Sequence, residues 1–99
     1  MTYQISVEAQ KDLESIWLYT LENWSVAQAD RYISLIFDEI DYLTLNPKSG
    51  KDYGHVRKLY RASKVKSHTI FYKQQELDLG IEIIRILHQS MDFESSLTE

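Results

Sequence analysis

The sequence predicts an α+β fold of order β-α-α-β-β-β: a helical hairpin packed on a mainly antiparallel curved sheet, followed by a short C-terminal helix or tail. Three observations carry this. Apolar residues recur at helical spacing through the first half. The pattern breaks abruptly at Asn46-Pro47. Beyond that point apolar residues come in short β-rich runs separated by polar or glycine-containing turns, the arrangement of strands and hairpins.

Tyr3 to Ile5 reads as a short extended start. Ser6 can cap a helix over residues 7–24, with Glu8 in the first turn where the helix dipole favours an acid. Ala9, Leu13, Ile16, Trp17, Thr20 and Trp24 form its apolar stripe. Ser25-Val26-Ala27-Gln28 has the form of a capping box and restarts the helix at once. Ala29, Ile33, Ile36, Ile40 and Leu43 draw the second stripe, widened by Tyr32 and Phe37. Asn46 ends it, because a residue before proline is pushed out of the α region. So short a connection folds the two helices into a hairpin.

Gly50 and Gly54 mark a loop. Strands are expected near Val56–Ser63, His68–Gln74 and Gly80–His88, with turns near Lys64–Ser67 and Gln75–Leu79. Met91, Phe93 and Leu97 lie in the terminal segment from Gln89, read as a short helix or ordered tail.

The last strand is the most informative. Ile81 to Leu87 is almost continuously apolar and is broken by one cation, Arg85. Such a run reads as a strand buried on both faces. Strict alternation puts Ile81, Ile83, Arg85 and Leu87 on one face and Glu82, Ile84, Ile86 and His88 on the other. A charge among aliphatic side chains is either locked in an ion pair or aimed at something the protein binds.

The 99 residues suit one domain, spanning 1–99, with 43% hydrophobic and 26% charged residues, an ordinary globular composition. No apolar run is long enough for a bilayer, and no export leader is evident, so a cytoplasmic protein without membrane partners is expected. The absence of cysteine excludes disulfides and Cys-based metal sites. His55, His68 and His88 fall on separate elements without metal-ligand spacing, so neither metal nor cofactor is expected. The net charge of −4 hides segregation: residues 48–73 hold eight of the eleven Lys/Arg and a single acid, Asp52. That block would attract a polyanion or an acidic protein, or else protects a β-hairpin from edge-to-edge aggregation.

Several motifs resemble the ParE branch of the RelE/ParE toxin superfamily. They are Ser6-x-x-Ala9-x-x-Asp12-Leu13-x-x-Ile16-x-x-Tyr19, Asn46-Pro47-x-x-Gly50, Arg57-x-x-Tyr60-Arg61, His68-Thr69-Ile70-Phe71-Tyr72 and Arg85-Ile86-Leu87-His88-Gln89-x-Met91-Asp92. The match runs through essentially the whole chain in the family's order. The resemblance implies a toxin of a type II toxin–antitoxin pair that inhibits DNA gyrase by trapping it on cleaved DNA. It implies neutralisation by a ParD-type antitoxin, with operator DNA contacted only through that antitoxin.

The superfamily also contains ribosome-dependent mRNA endonucleases, so an RNA-cleaving site is a second possibility for these residues. Metal-free RNA cleavage needs a base, an acid and cationic stabilisation within reach of one phosphate. Arg57, Arg61 and Arg85 could supply cations, and His68 or His88 a proton shuttle. The tail after His88 lacks the further His, Tyr or basic residue those nucleases tend to carry, and an acidic chain is poorly matched to a ribosomal RNA surface. A non-enzymatic toxin is the favoured reading, with the endonuclease (Arg61, Arg85 and His88 catalytic) and a non-toxic co-repressing module as rivals. Candidate target contacts are Arg57, Lys58, Arg61, Arg85, His88, Met91 and Asp92, in the basic strands and a mobile-looking tail. Candidate antitoxin contacts are Trp17, Trp24, Lys64, Lys66 and Lys73. The structural alternatives are a hydrogen-bonded His88 ending a buried strand, a His68 that fixes the hairpin, and tryptophans used in core or hairpin packing.

Overall fold

The computed structural model describes residues 2–76 and 80–98, residue 98 by its backbone alone. Strand β1 (Tyr3–Ile5) leads into helices α1 (Val7–Asn23) and α2 (Val26–Leu45). Strands β2 (Lys51–Asp52), β3 (Tyr60–Val65), β4 (His68–Gln74) and β5 (Ile81–His88) follow, and α3 (Phe93–Thr98) ends the described chain. The sheet order is β1-β5-β4-β3-β2. β1 runs parallel to β5, and the other three pairings are antiparallel.

Both helix starts are capped by serine. Ser6 Oγ accepts the Ala9 N–H, and Ser25 Oγ accepts the Gln28 N–H, each satisfying a backbone donor that a helix start leaves over. Ser6 Oγ also donates to the Ile84 carbonyl at 2.7 Å, which ties the α1 start to β5. Gly80 has a φ of +87°, and a Cβ there would strike the Thr2 backbone. Glycine thus lets the chain enter β5 hard against the β1 edge.

Two apolar clusters sandwich the sheet. The larger joins Ala9 and Ile16 of α1, Ile36, Ile40 and Leu43 of α2, and Ile70, Tyr72, Ile81, Ile83 and Ile86 of the sheet. The smaller, on the opposite face, joins Ala62, Phe71, Leu87 and Leu97, with Tyr53, Val56, Tyr60 and Phe93 against it. Ile70 and Tyr72 thus face the helices while Phe71 faces α3, as period-two geometry requires.

Several expectations need correction. A two-residue strand, Lys51–Asp52, pairs with β3, because the chain leaving Gly50 runs back alongside it. β3 begins at Tyr60 and not near Val56. The preceding residues are held in turns, with Val56 N–H donating to Tyr53 O and Tyr60 N–H to Arg57 O. The β3–β4 turn shrinks to Lys66-Ser67, with Lys66 at a φ of +54°. The expected turn at Gln75–Leu79 lies partly outside the described residues. Strict alternation in β5 also fails. Pairing passes from Ile83↔Tyr72 to Arg85↔Phe71 and leaves Ile84 without an opposite residue. This β-bulge resets the faces, so Ile81, Ile83 and Ile86 share the helical cluster while Leu87 joins the other.

Candidate functional site

The bulge decides what Arg85 does. Its Nε donates to Asp12 Oδ2 at 2.8 Å and its Nη2 to Asp12 Oδ1 at 3.0 Å, a two-pronged ion pair. Asp12 Oδ2 also accepts the Ile86 N–H at 2.9 Å. The two side chains are only 26% and 14% exposed. Asp12, one turn before Ile16 on α1, therefore clamps the helix to the bulged strand. Of the two roles the sequence leaves open for Arg85, the structure shows the ion pair.

Arg61 is likewise engaged. Its Nη1 donates to the Gly50 carbonyl at 2.8 Å and the Lys48 carbonyl at 3.3 Å. Tyr72 holds the same loop from the other side. Its hydroxyl donates to Pro47 O at 2.8 Å and accepts the Gly50 N–H at 3.0 Å, and burial raises its pKa. The Asn46-Pro47-x-x-Gly50 motif is the seat of these two side chains, a role the sequence did not disclose.

His68 and His88 face each other in register, their rings edge to face at 5.1 Å. Tyr32 OH is hydrogen-bonded to His68 Nδ1 at 2.7 Å and also accepts the Ser67 N–H. Burial, joined by the field of His88 and opposed by that of Asp12, lowers the His68 pKa from 6.5 to about 4. His88 Nδ1 accepts the Ser90 N–H at 3.1 Å and lies 2.7 Å from its hydroxyl. Both histidines thus secure strand ends.

The nuclease set does not converge. Arg61 lies opposite Tyr72, and His88 lies opposite His68, four residues away on β4. That places their backbones roughly 13 Å apart along the strands and roughly 10 Å apart across them. With Arg85 clamped on Asp12 and Arg61 that far from His88, the three do not meet on one phosphate.

The remaining candidates sort by exposure. Arg57, Lys58, Lys64 and Lys66 are exposed. Lys73 lies 3.9 Å from Glu82. Trp17 donates its indole N–H to Asp30 across the helical hairpin. Trp24 leaves the α1 stripe: the helix ends at Asn23, and Trp24 is 70% exposed. Tyr19 and Val26 of the hairpin are exposed as well. Met91 is exposed, whereas Asp92 caps α3, accepting the Ser95 and Ser96 N–H groups. The tail is anchored, with Leu97 buried and Phe93 stacked edge to face on Phe71 at 5.0 Å. Among the described residues, no helix is long and apolar enough to cross a membrane.

Residues 3–93 match the family described as "ParE toxin of type II toxin-antitoxin system, parDE". A Toxin ParE1 of Mycobacterium tuberculosis is 37% identical over 95 residues, covering 96% of each chain. A Toxin ParE1 of Caulobacter vibrioides is 35% identical with the same coverage. A Toxin ParE of Escherichia coli is 28% identical over 98% of this chain and 93% of its own. A solved structure titled "Chromosomal ParDE TA system from P. aeruginosa" superposes with a TM-score of 0.75 at 16% identity, covering 89% of this chain and 95% of its own, and shares the fold.

Proposed function

Because the chain belongs to the ParE toxin family of type II toxin–antitoxin systems, we propose that it poisons DNA gyrase in the cytoplasm by binding, without bond-breaking by its own side chains, and that a ParD-type antitoxin neutralises it. The observation that favours binding over catalysis is the clamping of Arg85 onto Asp12, with His88 set apart from Arg61. An mRNA-cleaving site requires those groups to be free and convergent. Gyrase as the target rests on the family resemblance. The exposed Arg57, Lys58, His88 edge and Met91 are the proposed target contacts, and Arg85 and Asp92 act on them only by holding the scaffold.

For the antitoxin, the apolar residues of the hairpin, Tyr19, Trp24 and Val26, offer anchors, and Lys64 and Lys66 offer steering of acidic side chains. Trp24→Ala removes an exposed ring, so it should leave stability within about 0.5 kcal/mol and weaken antitoxin binding about tenfold or more.

The deciding experiment runs purified toxin in a gyrase supercoiling and cleavage-complex assay beside ribosome toe-printing. Lost supercoiling and accumulated cleaved DNA are expected, with no new cuts in the ribosomal A site. A-site cuts that vanish in His88→Ala would overturn the reading.

A further inference from the structure

We propose that the loop over residues 48–61 docks directly onto the phosphodiester backbone of a nucleic acid. This goes beyond the gyrase reading, because it requires the toxin to touch DNA or RNA itself. Lys48, Lys58 and Arg61 line a surface cleft of about 320 Å³, with Leu59, Tyr60 and Asp52 in its wall. The one carboxylate is occupied, since Asp52 Oδ1 accepts the Gly54 N–H at 2.7 Å. Lys51 and Arg57, both exposed, add two more cations to the same stretch of chain. In a chain of net charge −4, this concentration of cations opposes itself and gains most from an anionic partner.

Backbone strain points to the same place. Leu59 sits at a φ of +71° and is 64% exposed. A left-handed leucine costs about 1–2 kcal/mol, and here little burial offsets it. Strain held at an exposed position, between Lys58 and a cleft-lining tyrosine, marks a site shaped for contact. Arg61, fixed by the Lys48 and Gly50 carbonyls, is a pre-oriented cation and loses little freedom on binding.

The choice of a nucleic acid over an acidic polypeptide rests on the rings among the cations. Tyr60 lines the cleft, and Tyr53, bonded to its carbonyl and packed edge to face on Phe71, leaves the exposed His55 as the outer ring 5.3 Å away. Cations for phosphates beside planar groups for bases form a nucleic-acid surface. The six residues of β3 also carry this loop roughly 17 Å from the Lys66 turn, so it is distinct from the lysines assigned to the antitoxin.

The test is fluorescence anisotropy of the full chain with a 20-base-pair DNA duplex and with a single-stranded 20-nucleotide RNA, across a salt series. At least one should bind, with log affinity falling against log salt at a slope of about −3 for the duplex or about −2 for the single strand, as three neutralised phosphates require. Lys48→Glu with Lys58→Glu should weaken binding at least tenfold and flatten the slope. Leu59→Gly, which relieves the strained backbone and so keeps the fold, should weaken it severalfold. Lys11→Glu, an equal charge change on α1, should leave affinity within twofold. Absence of binding to both probes at low salt overturns the proposal. So does an equal loss in Lys11→Glu, or poly-glutamate competing as well as the nucleic acid. Gyrase poisoning that persists without nucleic-acid binding defeats this inference and leaves the gyrase reading intact.

Discussion

Asp12→Ala is the most informative single change, because one carboxylate satisfies Arg85 Nε, Arg85 Nη2 and the Ile86 N–H at 2.8, 3.0 and 2.9 Å. Removing it strands a guanidinium and a backbone donor beside the β5 bulge. Breaking a buried pair by deleting one partner costs about 3–5 kcal/mol. Arg85 keeps 26% of its side chain in water, so partial resolvation lowers the figure to about 2–3 kcal/mol. In a domain this size, each kcal/mol moves the midpoint by about 4–8 °C, so a fall of about 10–20 °C is expected. Urea and thermal unfolding would read it. Arg85→Met should cost less, because the Ile86 N–H still reaches Asp12. The double replacement should cost less than the sum of the two, the signature of coupled partners. The functional corollary is that Arg85→Met retains gyrase poisoning in proportion to the fraction folded. If Asp12→Ala loses under about 1 kcal/mol, or Arg85→Met unfolds normally but abolishes poisoning, the clamp is misread and Arg85 is a contact residue.

Other changes test the remaining joints. In Gly50→Ala the new methyl would overlap the Tyr72 hydroxyl and stand 3.0 Å from the Ala62 carbonyl, costing about 1–3 kcal/mol; adding Tyr72→Phe should recover part of it, and strict additivity in urea melts would refute the overlap. His68 is depressed in the folded state, so below the unfolded value of 6.5 the unfolded chain takes the proton first, and stability falls as pH drops from 6.5 towards about 4. With solvent screening the loss is about 1–2 kcal/mol, and His68→Gln should unfold with a flatter pH dependence; identical profiles would remove the histidine from the account. Lys66→Gly relieves a left-handed lysine and should gain up to about 1 kcal/mol, read as a raised melting midpoint.

The fold was legible because local rules and the global arrangement agree. Serines stand where helices start, proline where one ends, and β-branched runs where strands are buried on both faces. The motifs that carry the family resemblance were also visible as linear patterns. The purpose of several motif residues was not. Asp12 and Arg85 are distant in sequence, and no periodicity announces a bulge that resets which way β5 faces. Tyr72 and Gly50 meet only because β4 passes beneath the loop after α2. Trp24 read as part of an apolar stripe, yet helix termination one residue earlier turned it outward.

By itself, the sequence determined the element order apart from the two-residue β2, the helical apolar stripes apart from Trp24, the separation of charge and the toxin family, because each depends on neighbours within a few residues or on whole-chain pattern. Only the tertiary structure decided which cations are already taken and which stand open to a partner. Whether a charge is engaged is set by distances across the fold, and the bulge at Ile84 and the loop at Gly50 fix those distances here.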